Sequence, residues 1–508
     1  MIARRNEIGS SSIESPSRVR GKMRKLNVLG IMCFALTLTL TVRAQTTPGV
    51  NNAELKGDYA FTFNGITTGG GGASTPFAAV GRFTSDGAGN LANGELDANG
   101  FGPMEKAVAQ PFTGTYSIGA DSRGVMNLNI PGGGILAFAM MANGNAKFVE
   151  IDAAGGHGTV GSGTMEKVDT TAYNTAKIAG DYAFGVAGFD QSNNRTAIAG
   201  RFTANGAGTF TNGAADVNLS GTFSTLNVFA GSYMVTDGAT GRGIMNMPPV
   251  VGGTPLNLNF VFYVVNSGKV FAMEMDVLSP ATPLLNGVVL QQQTPAIVGF
   301  TNASLKGGMV MYGSGTGAAE AGLLNTDGIG TLTLDFNGAC FGEGGGTGTY
   351  TVASDGRTAI RIGSAYAAAY LVSSNQAFYV VPDPCVSFGF GEPQAPGTLT
   401  NSAIAGKYAG SKAIATYVND FIFSGEFTAD GASPTGNISG TEDIGTPSGA
   451  ILGMAANATY SISSPYVNGK GTWSENGSTG IVYVISPSKF VVVSWAVPSY
   501  ASLLIFEQ

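Results

Sequence analysis

One short stretch recurs four times in the 508-residue chain, and this recurrence limits the fold more than any other feature. It reads Leu55-Lys56-Gly57-Asp58-Tyr59-Ala60-Phe61, then Ile178-Ala179-Gly180-Asp181-Tyr182-Ala183-Phe184, the weaker Leu305-Lys306-Gly307-Gly308-Met309, and Ile404-Ala405-Gly406-Lys407-Tyr408-Ala409. After each copy come a strand-like segment ending in an Asp/Asn-Gly turn, a further strand-like segment, a turn followed by a basic residue, and an acidic or amide-rich end. The chain is therefore a tandem array. Its modules are expected at 50–168, 174–293, 301–394 and 401–508, the last two more degenerate than the first two.

Within the first copy, apolar and small polar residues alternate with period two and no helical period is sustained, so the module is all-β. Eight strands are expected: Asp58–Asn64, Phe77–Thr84, Leu91–Asp97, Phe112–Ile118, Val125–Ile130, Ile135–Met141, Ala146–Asp152 and Thr159–Lys167. The connections after strands two, four and six are tight, with Asp86-Gly87 and Asn143-Gly144 supplying the positive-φ positions of hairpins. Those after strands one, three and five are longer and rich in Gly and Pro, as in Gly65–Pro76 and Ala98–Pro111. In a meander, successive connections alternate between the two ends, which gathers the tight turns at one end and the long loops at the other. Such a sheet hides its edges most economically by closing, so each module is expected to be an eight-stranded up-and-down β-barrel, with a β-sandwich as the alternative.

Residues 1–44 read as a secretory signal peptide. A basic stretch, Arg18 to Lys25, precedes the apolar run Leu26 to Val42, and Val42-Arg43-Ala44 offers a cleavage site before Gln45. Met23 ahead of Arg24-Lys25 would give a signal of ordinary length. The expected location is secreted, periplasmic or cell surface, with no integral membrane segment after cleavage. Removing 1–44 takes eight of 26 Lys/Arg and two of 33 Asp/Glu, leaving 18 against 31 and a net charge of −13. Such a surface repels nucleic acid and anionic headgroups.

Of three cysteines, Cys33 lies in the signal, and Cys340 and Cys385 remain in an exported chain, where a disulfide is expected. Cys340 follows the third strand of its copy and Cys385 the seventh, so a meander places both loops at one end. A flat sheet would hold them about 19 Å apart, whereas a closed one can bring their α-carbons within the roughly 4.4–6.8 Å a disulfide needs.

The organisation resembles an uncharacterised family of tandem β-repeats in secreted and surface proteins of environmental bacteria, with Gly-x-Tyr-Ala-Phe openings, Phe-Thr-x-Asp-Gly-x-Gly turns and Gly-x-Tyr-x-Ile strands. The match spans Leu55–Lys167 and Ile178–Gln293 and thins in later copies, where Leu324-Asn325-Thr326-Asp327-Gly328 and Phe427-Thr428-Ala429-Asp430-Gly431 persist. The resemblance implies fold and location; the family brings no activity with it.

Candidate chemistry is sparse. Asp86, Asp327 and Asp430 correspond to Asn205, and the alternating carboxylates of a calcium loop are missing, so no metal site is expected. His157 is the single histidine and has no counterpart in other copies. Glu150 and Asp152 recur as Glu274 and Asp276, a carboxylate pair too close along one strand to suit a glycosidase in so small a unit. No catalytic or cofactor residue is expected. Trp473 and Trp495 suit a core. Arg123, Arg242, Arg357 and Lys470 follow turns in every copy and are expected to pair with neighbouring carboxylates. Arg82 aligns with Arg201, Leu323 and Glu426, while Glu150 aligns with Glu274, Val381 and Val492. Their joint presence and loss predicts structural ion pairs Arg82–Glu150 and Arg201–Glu274. The expected role is an exported, non-enzymatic surface or envelope-associated binding or scaffold protein, meeting a cell-surface, matrix or small-molecule partner. The alternative is a set of lipocalin- or avidin-like barrels taking a small ligand at the long-loop end.

Overall fold

The structure, a computed structural model, describes residues 49–508 apart from 69–73, 101–105, 132, 153–158, 191, 252–253, 280–281, 296–297, 339–341, 414–420, 447–448, 463–467 and 498–499. His157 and Cys340 fall outside the described residues, as does the side chain of Trp495. The chain forms four closed, eight-stranded, antiparallel up-and-down barrels in tandem. In barrel 1 strands 1 to 8 are Lys56–Thr68, Ser74–Asp86, Asn90–Gly100, Lys106–Ile118, Arg123–Asn129, Ile135–Met140, Ala146–Glu150 and Thr159–Lys167. In barrel 2 they are Ala179–Phe189, Arg195–Asn205, Thr209–Leu219, Thr222–Val235, Arg242–Met247, Leu258–Asn266, Lys269–Glu274 and Leu284–Gln291. In barrel 3 they are Lys306–Gly315, Ala318–Asp327, Thr331–Gly338, Gly342–Val352, Arg357–Ile362, Ala365–Ser373, Gln376–Val380 and Phe388–Pro393. In barrel 4 they are Gly406–Lys412, Ile422–Ala429, Gly436–Thr446, Gly449–Ile462, Lys470–Glu475, Ser478–Ser486, Lys489–Val497 and Tyr500–Glu507. The last strand of each barrel pairs with the first to close the sheet. The expected long loops are shorter than the sequence suggests. Strands 1 and 2 stay paired as far as Thr68 opposite Ser74, so most of Gly65–Pro76 is sheet. Glycine and proline near the strand ends suggest loop, yet closure supplies partners on both sides that hold them in the ladder.

The recurrent motif now has a physical reading. Tyr59 and Phe61 point into the barrel with Phe83, Tyr116 and Phe138, and all five are buried. Tyr59 stacks on Phe83 with centroids 5.5 Å apart, and Phe63 on Phe148 at 6.0 Å. Inward glycines make room for these rings. A Cβ on Gly124 would lie 2.2 Å from Phe138 Cζ, and one on Gly243 of barrel 2 would lie 2.1 Å from Phe262 Cζ, so a bare backbone position faces an aromatic across the strand pair. At the tight-turn end each barrel is stoppered by a short 3-10 turn (Asn52–Glu54, Thr175–Lys177, Asn302–Ser304, Asn401–Ile404) followed or ended by buried Leu55, Ile178, Leu305 or Ile404. The tyrosine of the Gly-x-Tyr strand fixes the stopper: Tyr116, Tyr233 and Tyr350 donate their hydroxyls to the carbonyls of Leu55, Ile178 and Leu305 at 2.8, 2.5 and 2.8 Å. Trp473 is buried in the core of barrel 4 against Phe506.

The barrels are not beads on a string. Ala60, Ala78 and Val80, on the outer face of strands 1 and 2 of barrel 1, pack against Val261, Tyr263, Phe271 and Met273 on strands 6 and 7 of barrel 2. Barrel 2 offers Ala183, Ala197 and Ala199 to Ala368, Tyr370 and Val380 of barrel 3 in the same way. Barrel 3 offers Val310, Ala321 and Leu323 to Tyr483, Val491 and Val493 of barrel 4. Barrel 4 returns to barrel 1, with Ala409 and Ile422 against Ala137, Ala139 and Val149. One head-to-tail interface is thus used four times, and because the fourth use meets the first barrel the array closes into a ring. The alanine of the Tyr-Ala-Phe motif is outward-facing and small because a neighbouring barrel sits on it.

Candidate functional site at the ring axis

Charged side chains lock each seam. Arg123, Arg242, Arg357 and Lys470 each open strand 5 of their barrel, and each reaches an aspartate in strand 3 of the preceding barrel. Arg242 clasps Asp97 through Nε and Nη2 at 2.8 Å each, and Arg357 clasps Asp216 at 2.8 and 2.7 Å. Lys470 Nζ meets Asp335 at 2.7 Å, and Arg123 Nη1 meets Asp443 of barrel 4 at 2.7 Å. Tyr263, Tyr370 and Tyr483 add a hydroxyl to the first three of these aspartates at 2.8, 2.6 and 2.8 Å. The expected pairing with a carboxylate is present, and the carboxylate belongs to the preceding barrel. The hydrogen bonds to Asp97 outweigh burial and raise the Arg242 pKa, so this guanidinium is charged at every accessible pH. A second set of locks joins a strand-7 lysine to a glutamate in the preceding barrel's last strand: Lys269–Glu166 at 2.7 Å, Lys489–Glu392 at 2.6 Å and Lys147–Glu507 at 3.2 Å.

The ion pairs expected from covariation have other partners. Arg82 pairs with Asp58 and Arg201 with Asp181 at 2.6 Å, and each also donates to the carbonyl of a strand-3 bulge residue, Asn93 or Asn212. Side-chain alternation is the reason: Arg82 and Arg201 lie on the outer face of the barrel wall, whereas Glu150 and Glu274 lie on the inner face. Glu274 instead sits with Asp276 around the Asn259 amide, with both carboxylates accepting from Asn259 N at 3.2 Å. Burial, then the neighbouring Asp276, pushes Glu274 up to about 9, so it is a neutral acid at pH 7. Burial and Asp152 raise Glu150 likewise. The turn carboxylates are occupied by their own hairpins. Asp86 accepts from Ala88 N and Asn90 N at 2.7 and 3.0 Å, and its hydrogen bonds, led by the Asn90 side chain, hold it at about 2. Among the described residues no group of three His, Cys, Asp or Glu side chains is placed to hold a metal ion, and no helix is long and apolar enough to cross a membrane.

With the barrel 1 interior filled by side chains, the space of interest lies between barrels. A cavity of about 290 Å³ is lined by all four: Ile66 and Phe77 from barrel 1, Phe189 from barrel 2, Phe390 from barrel 3 and Leu503 from barrel 4 stand for its mostly apolar wall. It lies where the loop-side ends of strands 1 and 2 converge on the axis. One charged side chain opens onto it. Arg195, 4% exposed, begins strand 2 of barrel 2 and crosses to barrel 3, donating from Nε to the Val386 carbonyl at 3.1 Å and from Nη2 to the Ser314 carbonyl and hydroxyl at 3.1 and 3.0 Å. Its guanidinium also lies over the Phe189 ring, 5.5 Å from the centroid.

Sequence reasoning passed over Arg195 because it has no counterpart in the other copies. An unrepeated arginine inside an Asn/Thr-rich loop stretch was the available signal. The chain matches no protein-family model, and comparison with curated proteins finds no match.

Proposed function

We propose that this protein is an exported, non-enzymatic binding or scaffold protein of the cell surface or envelope, in which four barrels act as one closed platform. The observation that carries the reading is the closure of the four barrels into a ring. A ring of four interlocked barrels has few internal freedoms and presents the ends of its first hairpins around one axis, which suits display and binding. It also moves small-ligand binding, the alternative role, from the barrel interiors to the space between them. Export follows from the order of basic, apolar and small residues in 1–44, and a Cys340–Cys385 disulfide belongs to the same proposal. The resemblance to tandem β-repeats of surface proteins points to the same address.

The test is to express the full chain with its own leader and sequence the N-terminus of each cell fraction. A mature protein beginning at Gln45 outside the cytoplasm, with residues 340 and 385 joined in a non-reducing digest, is the expected result. An intact Met1 retained in the cytoplasm with both thiols free would contradict it.

A further inference from the structure

A buried guanidinium without a counter-ion is costly, because burial removes hydration that only a paired anion replaces fully. Arg195 is such a group. Its three hydrogen bonds go to neutral oxygens, and no described carboxylate lies within salt-bridge distance of it. The acids on the elements packed around it do not reach it: Glu320 accepts the Tyr379 hydroxyl at 2.9 Å, and Asp383 accepts Ser387 N through Oδ1 at 2.9 Å while its buried Oδ2 meets no hydrogen-bond donor among the described residues. Burial pulls Arg195 down to about 10, with Glu320 and Asp383 working the other way, so it remains a cation at neutral pH. Nη1 makes no hydrogen bond to a described residue. The Ser314 hydroxyl, which accepts from Nη2, keeps its own proton to give. Arg195 and Ser314 both line the axial cavity.

We propose that the axial cavity binds a small organic monocarboxylate, whose oxygens accept from Arg195 Nη1 and the Ser314 hydroxyl while its compact apolar or aromatic body rests against Phe77, Phe378 and Phe390. The donor set selects the class: two donors match one carboxylate, whereas a phosphate brings more charge and more acceptors than the site can satisfy. The volume selects the size. At about 30 Å³ per water the cavity holds roughly ten waters, or a ligand of about that many heavy atoms. Closure selects the place, since each barrel contributes wall and no single barrel forms the site. The proposal deepens the binding reading above and rests on it only for the idea that the ring holds a ligand.

Calorimetric titration of the full mature chain with benzoate, benzyl alcohol and inorganic phosphate tests it. Benzoate is expected to bind once per chain, benzyl alcohol at least roughly tenfold more weakly, and phosphate not measurably. Arg195→Met is expected to weaken benzoate by roughly tenfold or more while leaving benzyl alcohol unchanged, and the near-isosteric Ser314→Ala to weaken benzoate by about threefold to tenfold. Should Arg195→Met fail to fold, the Ser314→Ala series and the charge discrimination of the wild type decide. Equal affinity for benzoate and benzyl alcohol, no binding of either, tighter binding of phosphate, or Ser314→Ala and Arg195→Met variants that bind benzoate like the wild type would each overturn the site. None of those outcomes touches ring closure, which is read separately by cross-linking.

Discussion

The seam between barrels 2 and 3 and the seam between barrels 4 and 1 use the same strands, yet only the first has a covalent connection across it. At the linked seam Arg357 grips Asp216 with two nitrogens, Tyr370 adds a hydroxyl, and the Asn218 amide donates to the carbonyls of Val381 and Asp383 at 2.8 and 2.9 Å. At the closing seam Arg123 divides itself between Asp121 of its own barrel and Asp443, Ala139 stands where the tyrosine would, and Gly445 stands where the asparagine would. The glycine lets the two backbones meet more closely, since a Cβ there would lie 2.3 Å from the Glu150 carbonyl oxygen. The closing seam has exchanged side-chain locks for close approach, and it adds Lys147–Glu507 and two serine contacts, Ser162 to the Ala413 carbonyl and Ser424 to the Lys147 carbonyl. A linker raises the effective concentration of the faces it joins. The closing faces are likewise held in one chain, but through the two intervening barrels, so closure depends on the geometry of the other three seams.

The comparison is broken most severely at the linked seam. Arg357→Met leaves Asp216, which is fully buried, without its cation and is expected to cost about 3–5 kcal/mol in a denaturant melt. Asp443→Ala at the closing seam removes one contact of a shared arginine and is expected to cost less, about 1–3 kcal/mol. Its signature is local: hydrogen exchange should rise in strands 6 and 7 of barrel 1 and strands 1 and 2 of barrel 4 before it rises elsewhere. A uniform rise across all barrels would show that the seams do not open separately.

The pH dependence sharpens the account of the inner carboxyls. Burial raises Glu320, Glu442 and Glu274 to about 7, 8 and 9, above the 4.5 of the unfolded chain. The folded state therefore binds more protons than the unfolded state between those values. Their contribution is fully present below pH 4.5 and is lost as pH rises through the folded values, at about 1.4 kcal/mol per pH unit for each group in its window. Glu507 works in the opposite direction at lower pH: burial would raise it, but Lys147 and Lys489 bring it to about 2, so its contribution is lost as pH falls through that value. Maximum stability is expected near pH 5. Glu274→Gln should raise the melting temperature at pH 8 and change it little at pH 5.

The smallest expected effect concerns Arg82. A double-mutant cycle between Arg82→Leu and Asp58→Ala should give a coupling of about 1–2 kcal/mol, tempered by the partial exposure of Asp58, while the cycle with Glu150→Val should give none.

The meander, the tight-turn end and the closed barrels were legible because each is written in local patterns: period-two alternation, Asp-Gly turns and a repeat that ends where it began. The ring was written less plainly. Strands buried on both faces read as continuous apolar runs, and Phe260 to Val265 and Ile481 to Ile485 are such runs, but the same pattern also suits a strand deep in one core. The covariation of Arg82 and Arg201 reflects a pairing with Asp58 and Asp181, not with the inner glutamates. Asp58, Asp181, Gly308 and Lys407 track Arg82, Arg201, Leu323 and Glu426 as closely as the inner glutamates do, with both signs reversed in the last copy. Sequence alone could not choose between them because it does not state which face of the wall each residue occupies until the register is known. Arg195 occurs in one copy, so the repeat pattern carries no signal for it.

Ring closure is tested most directly by zero-length carbodiimide cross-linking of the monomer, which joins a lysine and a carboxylate already in contact. Lys269–Glu166 and Lys489–Glu392 lie across linked seams and serve as internal references, and Lys147–Glu507 lies across the unlinked one at 3.2 Å. All three isopeptide bonds should appear in peptides from the monomer. The first two without the third would contradict a closed ring and leave an open array of four barrels.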